Sequence, residues 1–137
     1  MSSRFKMNVQ SVVSTVLTYA VVVVLLLDAM AQFAPPPPLV DAMKHTGFDP
    51  GDGPRLAVVM LVCAITLAIP ATSILGAILT TAFLGGAIAV HVRIGEYTTG
   101  PQIFCVLLGT AAWAGVYLRN EKLREVLPFR RKMAQAV

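Results

Sequence analysis

Three stretches of this 137-residue chain carry no Asp, Glu, Lys or Arg: Met7 to Leu27, Leu56 to Val92 and Tyr97 to Leu118, which are 21, 37 and 22 residues long. A helix needs about 20 apolar residues to cross a hydrocarbon core of roughly 30 Å. The first and third stretches therefore hold one span each. As a single helix the middle stretch would be about 55 Å long at roughly 1.5 Å per residue, too long for one crossing. Pro70 divides it near its centre, and Pro70-Ala71-Thr72-Ser73 reads as a tight turn. Four spans follow, from Val9 to Phe33, Leu56 to Ile69, Thr72 to His91 and Gln102 to Leu118. The expected fold is all-α: an integral membrane four-helix bundle, with residues 1–137 forming one transmembrane domain. Composition agrees. Apolar residues make up 56% and charged residues 13%, against about 45–50% and about 25% in soluble domains. The first stretch is expected to be a retained helix rather than a signal peptide. Its apolar run is long, and the small residues after it run into Pro35–Pro38 instead of a cleavage site.

Lys and Arg set the expected orientation. With four spans, the N-terminus, the central turn and the C-terminus share a side. That side carries Arg4, Lys6, Arg119, Lys122, Arg124, Arg130, Arg131 and Lys132, whereas Lys44, Arg55 and Arg93 lie opposite. Cytoplasmic loops collect positive charge, so both ends are expected inside, in a cell (inner) membrane. The basic balance thus reads as membrane topology, not as nucleic-acid binding. The C-terminal segment 119–132 interleaves Leu123, Val126, Leu127 and Phe129 with basic residues. It is expected to continue the fourth span as a basic amphipathic helix on an anionic leaflet, stopped by Pro128.

The loop from Ala34 to Arg55 opens with four prolines, which favour a stiff polyproline II rod. After them Leu39 to His45 can form one or two helical turns over the bundle. In the third span Ser73, Ala77, Thr81, Gly85 and Ala89 recur every four residues, and Ala111 and Gly115 offer a matching patch on the fourth. Small residues so spaced predict close helix approach in lipid. Cys63 and Cys105 form no C-x-x-C pair and read as packing residues.

The polar residues inside or beside the spans need a reason. Asp28 lies 16 residues beyond Val12 and His91 lies 18 beyond Ser73, about 24 and 27 Å up their helices at roughly 1.5 Å per residue. Both helices run outward, so the two side chains reach similar depth, with Arg93 and Glu96 close by. A carboxylate in lipid is costly and turns to the bundle interior or a wet cavity. One expectation is an outward-facing pocket lined by Asp28, His91, Arg93 and Glu96. There His91 or Asp28 would be the catalytic acid or base, and Arg93 would hold an anion. The other is an ion-pair network that joins Asp28 to Arg93, with His91 capping its helix and Glu96 in a solvated loop. His45 and Asp41 read as loop residues. No metal site is expected, since no second ligand stands at helical spacing.

Ile74-Leu75-Gly76-Ala77-Ile78-Leu79 and Leu84-Gly85-Gly86-Ala87-Ile88-Ala89-Val90-His91-Val92-Arg93-Ile94-Gly95 resemble the hallmark of DoxX-like membrane proteins. The likeness extends through Leu108-Gly109, Trp113, Gly115 to Arg119, Leu123-Arg124 and Leu127-Pro128, and back to Asp28-Ala29 and Lys44 to Phe48. It implies a four-helix bundle of the bacterial plasma membrane and an association with redox or detoxification systems. It also implies departures. Where relatives often carry Lys near the end of span one, Glu in span two and Arg after Pro70, this chain has Gln32, Met60 and Ala71. The first two remove a potential ion pair.

Three functions compete on this reading. The first is a pocket for a small lipophilic ligand or quinone in an accessory subunit of an oxidoreductase. The second is a cofactor-free isomerase, lyase or hydrolase acting on a lipid-soluble substrate. The third is a structural partner protein, as a homo-oligomer or with another subunit. The bilayer is the partner common to all three, and the sequence names no cofactor.

Overall fold

The computed structural model describes residues 2–126, and among them the regular structure is helical throughout. Helix α1 spans Ser2–Phe33, α2 Pro37–His45, α3 Gly53–Ala68, α4 Ser73–Arg93, α5 Gly100–Arg119 and α6 Glu121–Val126, with a 3-10 turn at Pro50–Asp52. α1, α4, α5 and the run from Pro50 to Ala68 are long and apolar enough to cross a membrane. In lipid every backbone polar group must find a partner within the segment, which only a helix provides locally. The hydroxyls obey the same demand. Thr15, Thr66, Thr81 and Thr110 each donate to the carbonyl four residues earlier. Exposed Val12, Val16, Val23, Leu27, Val62 and Leu107 lie on the outer faces, where lipid tails would meet them.

α1 packs on α3 and α5, and α4 packs on the same two helices, so α1 and α4 stand diagonally across the bundle. The core between them is built by Val21, Leu25, Cys63, Leu67, Ala77 and Ala112, all buried. Three glycines set the closest approaches, Gly53 among them with a Cβ position 2.4 Å from the Gln32 carbonyl oxygen. A Cβ on Gly76 would lie 2.3 Å from the Leu67 backbone nitrogen, so α3 and α4 meet directly beyond their turn. A Cβ on Gly115 would lie 2.5 Å from Thr18 Oγ1. Gly115 thus admits α1, with Ser14 Oγ donating to the Gly115 carbonyl at 2.7 Å and Gln10 Nε2 to that of Leu118 at 3.0 Å.

Several expectations change here. The small-residue stripe of α4 is split: Ser73 and Ala77 are buried, but Thr81, Gly85 and Ala89 are exposed, and nothing lies within 4 Å of a Cβ built on Gly85. Gly115 does serve close packing, but toward α1 and not toward the α4 stripe. The polyproline rod shrinks to Pro35 and Pro36, because Pro37 and Pro38 open α2. A helix's first turn has no use for the missing N–H. The expected continuation of the fourth span breaks at Asn120, whose φ −109° and ψ 102° leave the helical region. Asn120 Oδ1 then accepts the Leu123 N–H at 3.1 Å and opens the short α6. Residues 127–132 of the expected amphipathic segment lie outside the described residues.

A covered cavity at the α2 end of the bundle

α2 and α4 end in the same motif, and that motif positions the site. At the end of α4 the Glu96 N–H bonds to the His91 carbonyl and the Gly95 N–H to that of Val92. At the end of α2 the Phe48 N–H bonds to the Met43 carbonyl and the Gly47 N–H to that of Lys44. These paired bonds require a left-handed residue after the cap. Gly95 at φ 81° and Gly47 at φ 83° supply it without a Cβ penalty. The turn at Gly95 brings Glu96 back beside His91, five residues away in sequence.

The Glu96 carboxylate bridges two elements. Its Oε2 meets His91 Nδ1 at 2.5 Å and its Oε1 meets His45 Nε2 at 2.9 Å. The hydrogen bond from His91, then that from His45, hold the Glu96 carboxyl below the usual carboxylate range. An ionised carboxylate only accepts, so His91 Nδ1 carries the hydrogen, and in the neutral ring Nε2 is left as an acceptor. Arg93 makes a second tie to α2, donating from Nη2 to the Thr46 carbonyl at 3.0 Å. Gln102, 5% exposed, secures the other side of the loop. Its Nε2 donates to the Glu96 carbonyl and its Oε1 accepts the Thr99 N–H, each at 3.0 Å.

Beneath these ties lies a cavity of about 580 Å³ with walls from α1, α2, α4 and α5. Its apolar lining includes Leu25, Met43, Phe83, Val90, Phe104 and Leu108. Its polar lining is Asp28 and Gln32 of α1, Thr46 at the C-cap of α2 and His91 of α4. The volume falls within the roughly 300–1,000 Å³ of small-molecule sites, and a mostly apolar wall with a few polar groups is their usual make-up.

The residues singled out from sequence thus separate. Asp28 and His91 line one cavity. Glu96 is behind His91 and holds its ring, partly covered instead of loose in a solvated loop. Arg93 is outside the lining and faces α2, so the expected Asp28–Arg93 ion pair does not form. Asp28 has no ion-pair or hydrogen-bond partner among the described residues. His45, read as a loop residue, is the second ligand of Glu96. Gln32 was noted only as a departure from relatives, yet it is 8% exposed and its Oε1 has no hydrogen-bond partner among the described residues. Gln102 was missed altogether, although Thr99-x-x-Gln102 ahead of an apolar run is a helix-start signature. Cys105 is on the cavity wall, Cys63 is buried, and both are free. Among the described residues no three His, Cys, Asp or Glu gather closely enough to hold a metal.

Four apolar helices, diagonal packing and a cavity at one end define a small multi-pass membrane protein of the helical-bundle kind. The sequence model of the DoxX-like family matches residues 16–115, and the chain belongs to that family. The matched region includes both cavity carboxylate and imidazole, the Glu96 bridge and all the close-packing glycines of the core. No curated protein and no solved structure is significantly similar to it.

Proposed function

We propose that this DoxX-like protein binds a small lipophilic molecule in the cavity between α1 and α4, on the outward side of a cell membrane, as an accessory subunit of an oxidoreductase or detoxification system. The observation that carries the reading is that Asp28, itself exposed, and His91 line one mostly apolar cavity of about 580 Å³. A carboxylate at that depth is expensive, and such groups in membrane helices mark ligand or proton sites. The outward placement rests on eight Lys and Arg on the side of the termini against three on the side of α2. A periplasm-active reporter fused after Val137 should be silent and one inserted near Asp49 active; the reverse would refute the placement.

The test of the binding itself is mass spectrometry of small molecules retained by gently purified protein, compared with Ala87→Trp and Val90→Trp. Both positions are on the cavity wall, and a large ring there fills the space. A compound kept by the wild type and lost from both folded variants supports the reading; identical spectra from all three overturn it.

One observation favours a second reading, an enzyme without a cofactor. Glu96 fixes the His91 ring and its tautomer, as the orienting carboxylate of a general base does. His91 would then remove a proton from a lipid-soluble substrate and Asp28 or solvent would return it. Proton transfer lost in His91→Ala and sharply reduced in Glu96→Gln, with the fold intact, would separate this reading from simple binding.

A further inference from the structure

Two of the cavity's polar side chains, Asp28 and His91, present acceptors. Asp28 offers a carboxylate, with no cation beside it among the described residues. Gln32, one helical turn further along α1, also lines the cavity, but its side-chain oxygen is sealed without a partner on the side of Gly53. In the neutral ring the second nitrogen of His91 is an acceptor too, because Glu96 takes the hydrogen on Nδ1. Among the described residues no Lys or Arg lines the cavity. The nearest cation by sequence, Arg93, is tied to a neutral carbonyl of α2. Phe48, Phe83 and Phe104 add three aromatic rings to the walls. A site of this make-up repels anions, gains little from a neutral hydrocarbon and is complementary to a donor with positive charge.

Resting on the binding function proposed above, we infer that the ligand is a lipophilic amine, its ammonium on Asp28. An ammonium offers two or three N–H donors, enough for Asp28 and for the acceptor nitrogen of His91 on the same cavity. Charge-assisted hydrogen bonds are about twice as strong as neutral ones, and a low-dielectric wall strengthens them further. Aromatic rings within about 6 Å of a cation add to the attraction. The apolar remainder of the molecule meets Leu25, Val90 and Leu108.

Four probes of one shape separate the possibilities: 4-phenylbutylamine, 4-phenylbutanol, 4-phenylbutyrate and butylbenzene. Binding to the full chain in nanodiscs is measured at neutral pH for the wild type, Asp28→Asn, Asp28→Glu and Gln32→Leu, each first shown to be monodisperse and helical. The amine should bind at least about tenfold tighter than the carboxylate, a difference of about 1.4 kcal/mol. Asp28→Asn should remove that preference and Asp28→Glu should keep most of it. The alcohol should lose less than the amine in Asp28→Asn. Gln32→Leu, whose lost oxygen is sealed from the cavity, should leave the preference for the amine in place. If all four probes bind alike and Ala87→Trp blocks them, the cavity reading stands and the amine inference fails. Tighter binding of the carboxylate, or amine affinity unchanged in Asp28→Asn, overturns the inference. If none of the probes binds, the cavity reading falls with it.

Discussion

One face of α1 carries polar residues in both of its halves, and the two halves use them in opposite ways. Near the termini Ser14 and Thr18 are fully buried against Gly115, where backbones touch and the Ser14 hydroxyl closes on a carbonyl of α5. Toward α2, Asp28 and Gln32 continue the same face but meet Phe104, Cys105 and the diagonal wall of α4 across a cavity. What faces the helix decides the outcome. Gly115 lets α5 approach until the Ser14 hydroxyl finds a carbonyl; Gly53 of α3 approaches Gln32 as closely, and Asp28 is left open to a ligand. In lipid, where packing rather than water drives association, a polar stripe therefore says little until its opposite number is known.

That contrast breaks most readily at Gly115. Gly115→Val would set a side chain within 2.5 Å of Thr18 Oγ1, with the Thr18 and Ser14 backbones 3.1 and 3.2 Å away. The helices cannot close around it. A loss of more than about 3 kcal/mol is expected, as for other severe overpacking, read as a collapse of the thermal melt in detergent. A stable, monodisperse variant would mean that the sealed half is not sealed.

The two halves should next differ in sign. Ser14→Ala removes a satisfied interhelical hydrogen bond, which costs about 0.6–1.7 kcal/mol in membrane proteins. Gln32→Leu removes a buried oxygen without a partner and should leave stability equal or raise it by about 1 kcal/mol. Chemical denaturation in micelles checks both. Losses of equal size would erase the distinction between packing and binding groups.

Acid sharpens the picture at the α2 end. Glu96 has a lowered pKa in the folded protein, so its bonds to His91 and His45 are fully present above the ordinary value of 4.5. They are lost as pH falls through the lowered value, because the protonated carboxyl no longer accepts from both rings. Melts from pH 7 down to about pH 3 should show a loss of stability that is smaller in Glu96→Gln. An unchanged acid limb would mean that Glu96 does not hold α2 in place. The smallest effect is expected at Gly85. Gly85→Leu adds a side chain to open space and should stay within about 0.5 kcal/mol of the wild type. A large loss would put a neighbouring helix where the structure has none.

The spans were legible in the sequence because absence of charge over 20 or so residues is a one-dimensional signal. So were the helix in the loop and the tight turn, since proline and glycine act locally. Pairing of helices was not. The α4 stripe of small residues pointed to close packing along its whole length, yet only Ser73 and Ala77 are buried. Spacing gives a face but not the angle at which that face is turned. At the site, matched depth placed Asp28 and His91 together, because rise per residue is fixed. The partners of Arg93 and Glu96 depended on two left-handed glycine turns that redirect the chain, and side-chain pairing across a turn leaves no periodic trace. The repeat Ser14, Thr18, Asp28 and Gln32 along α1 was available to the same periodicity argument and is the signal that would have found the unpartnered amide.

The short link between α3 and α4 has a consequence for how the protein enters the membrane. Between Ala68 and Ser73 there are only four residues, none of them Lys or Arg, and Gly76 locks the two helices together just beyond them. The translocation machinery therefore receives this pair as one hairpin with no address of its own at the bend. Its direction is a balance between Arg55 and Arg93 at its own far ends and the charges that flank α1 and follow α5. A single Arg placed in the bend would give the hairpin an opinion, whereas the same Arg added to either tail would only repeat what is already written there.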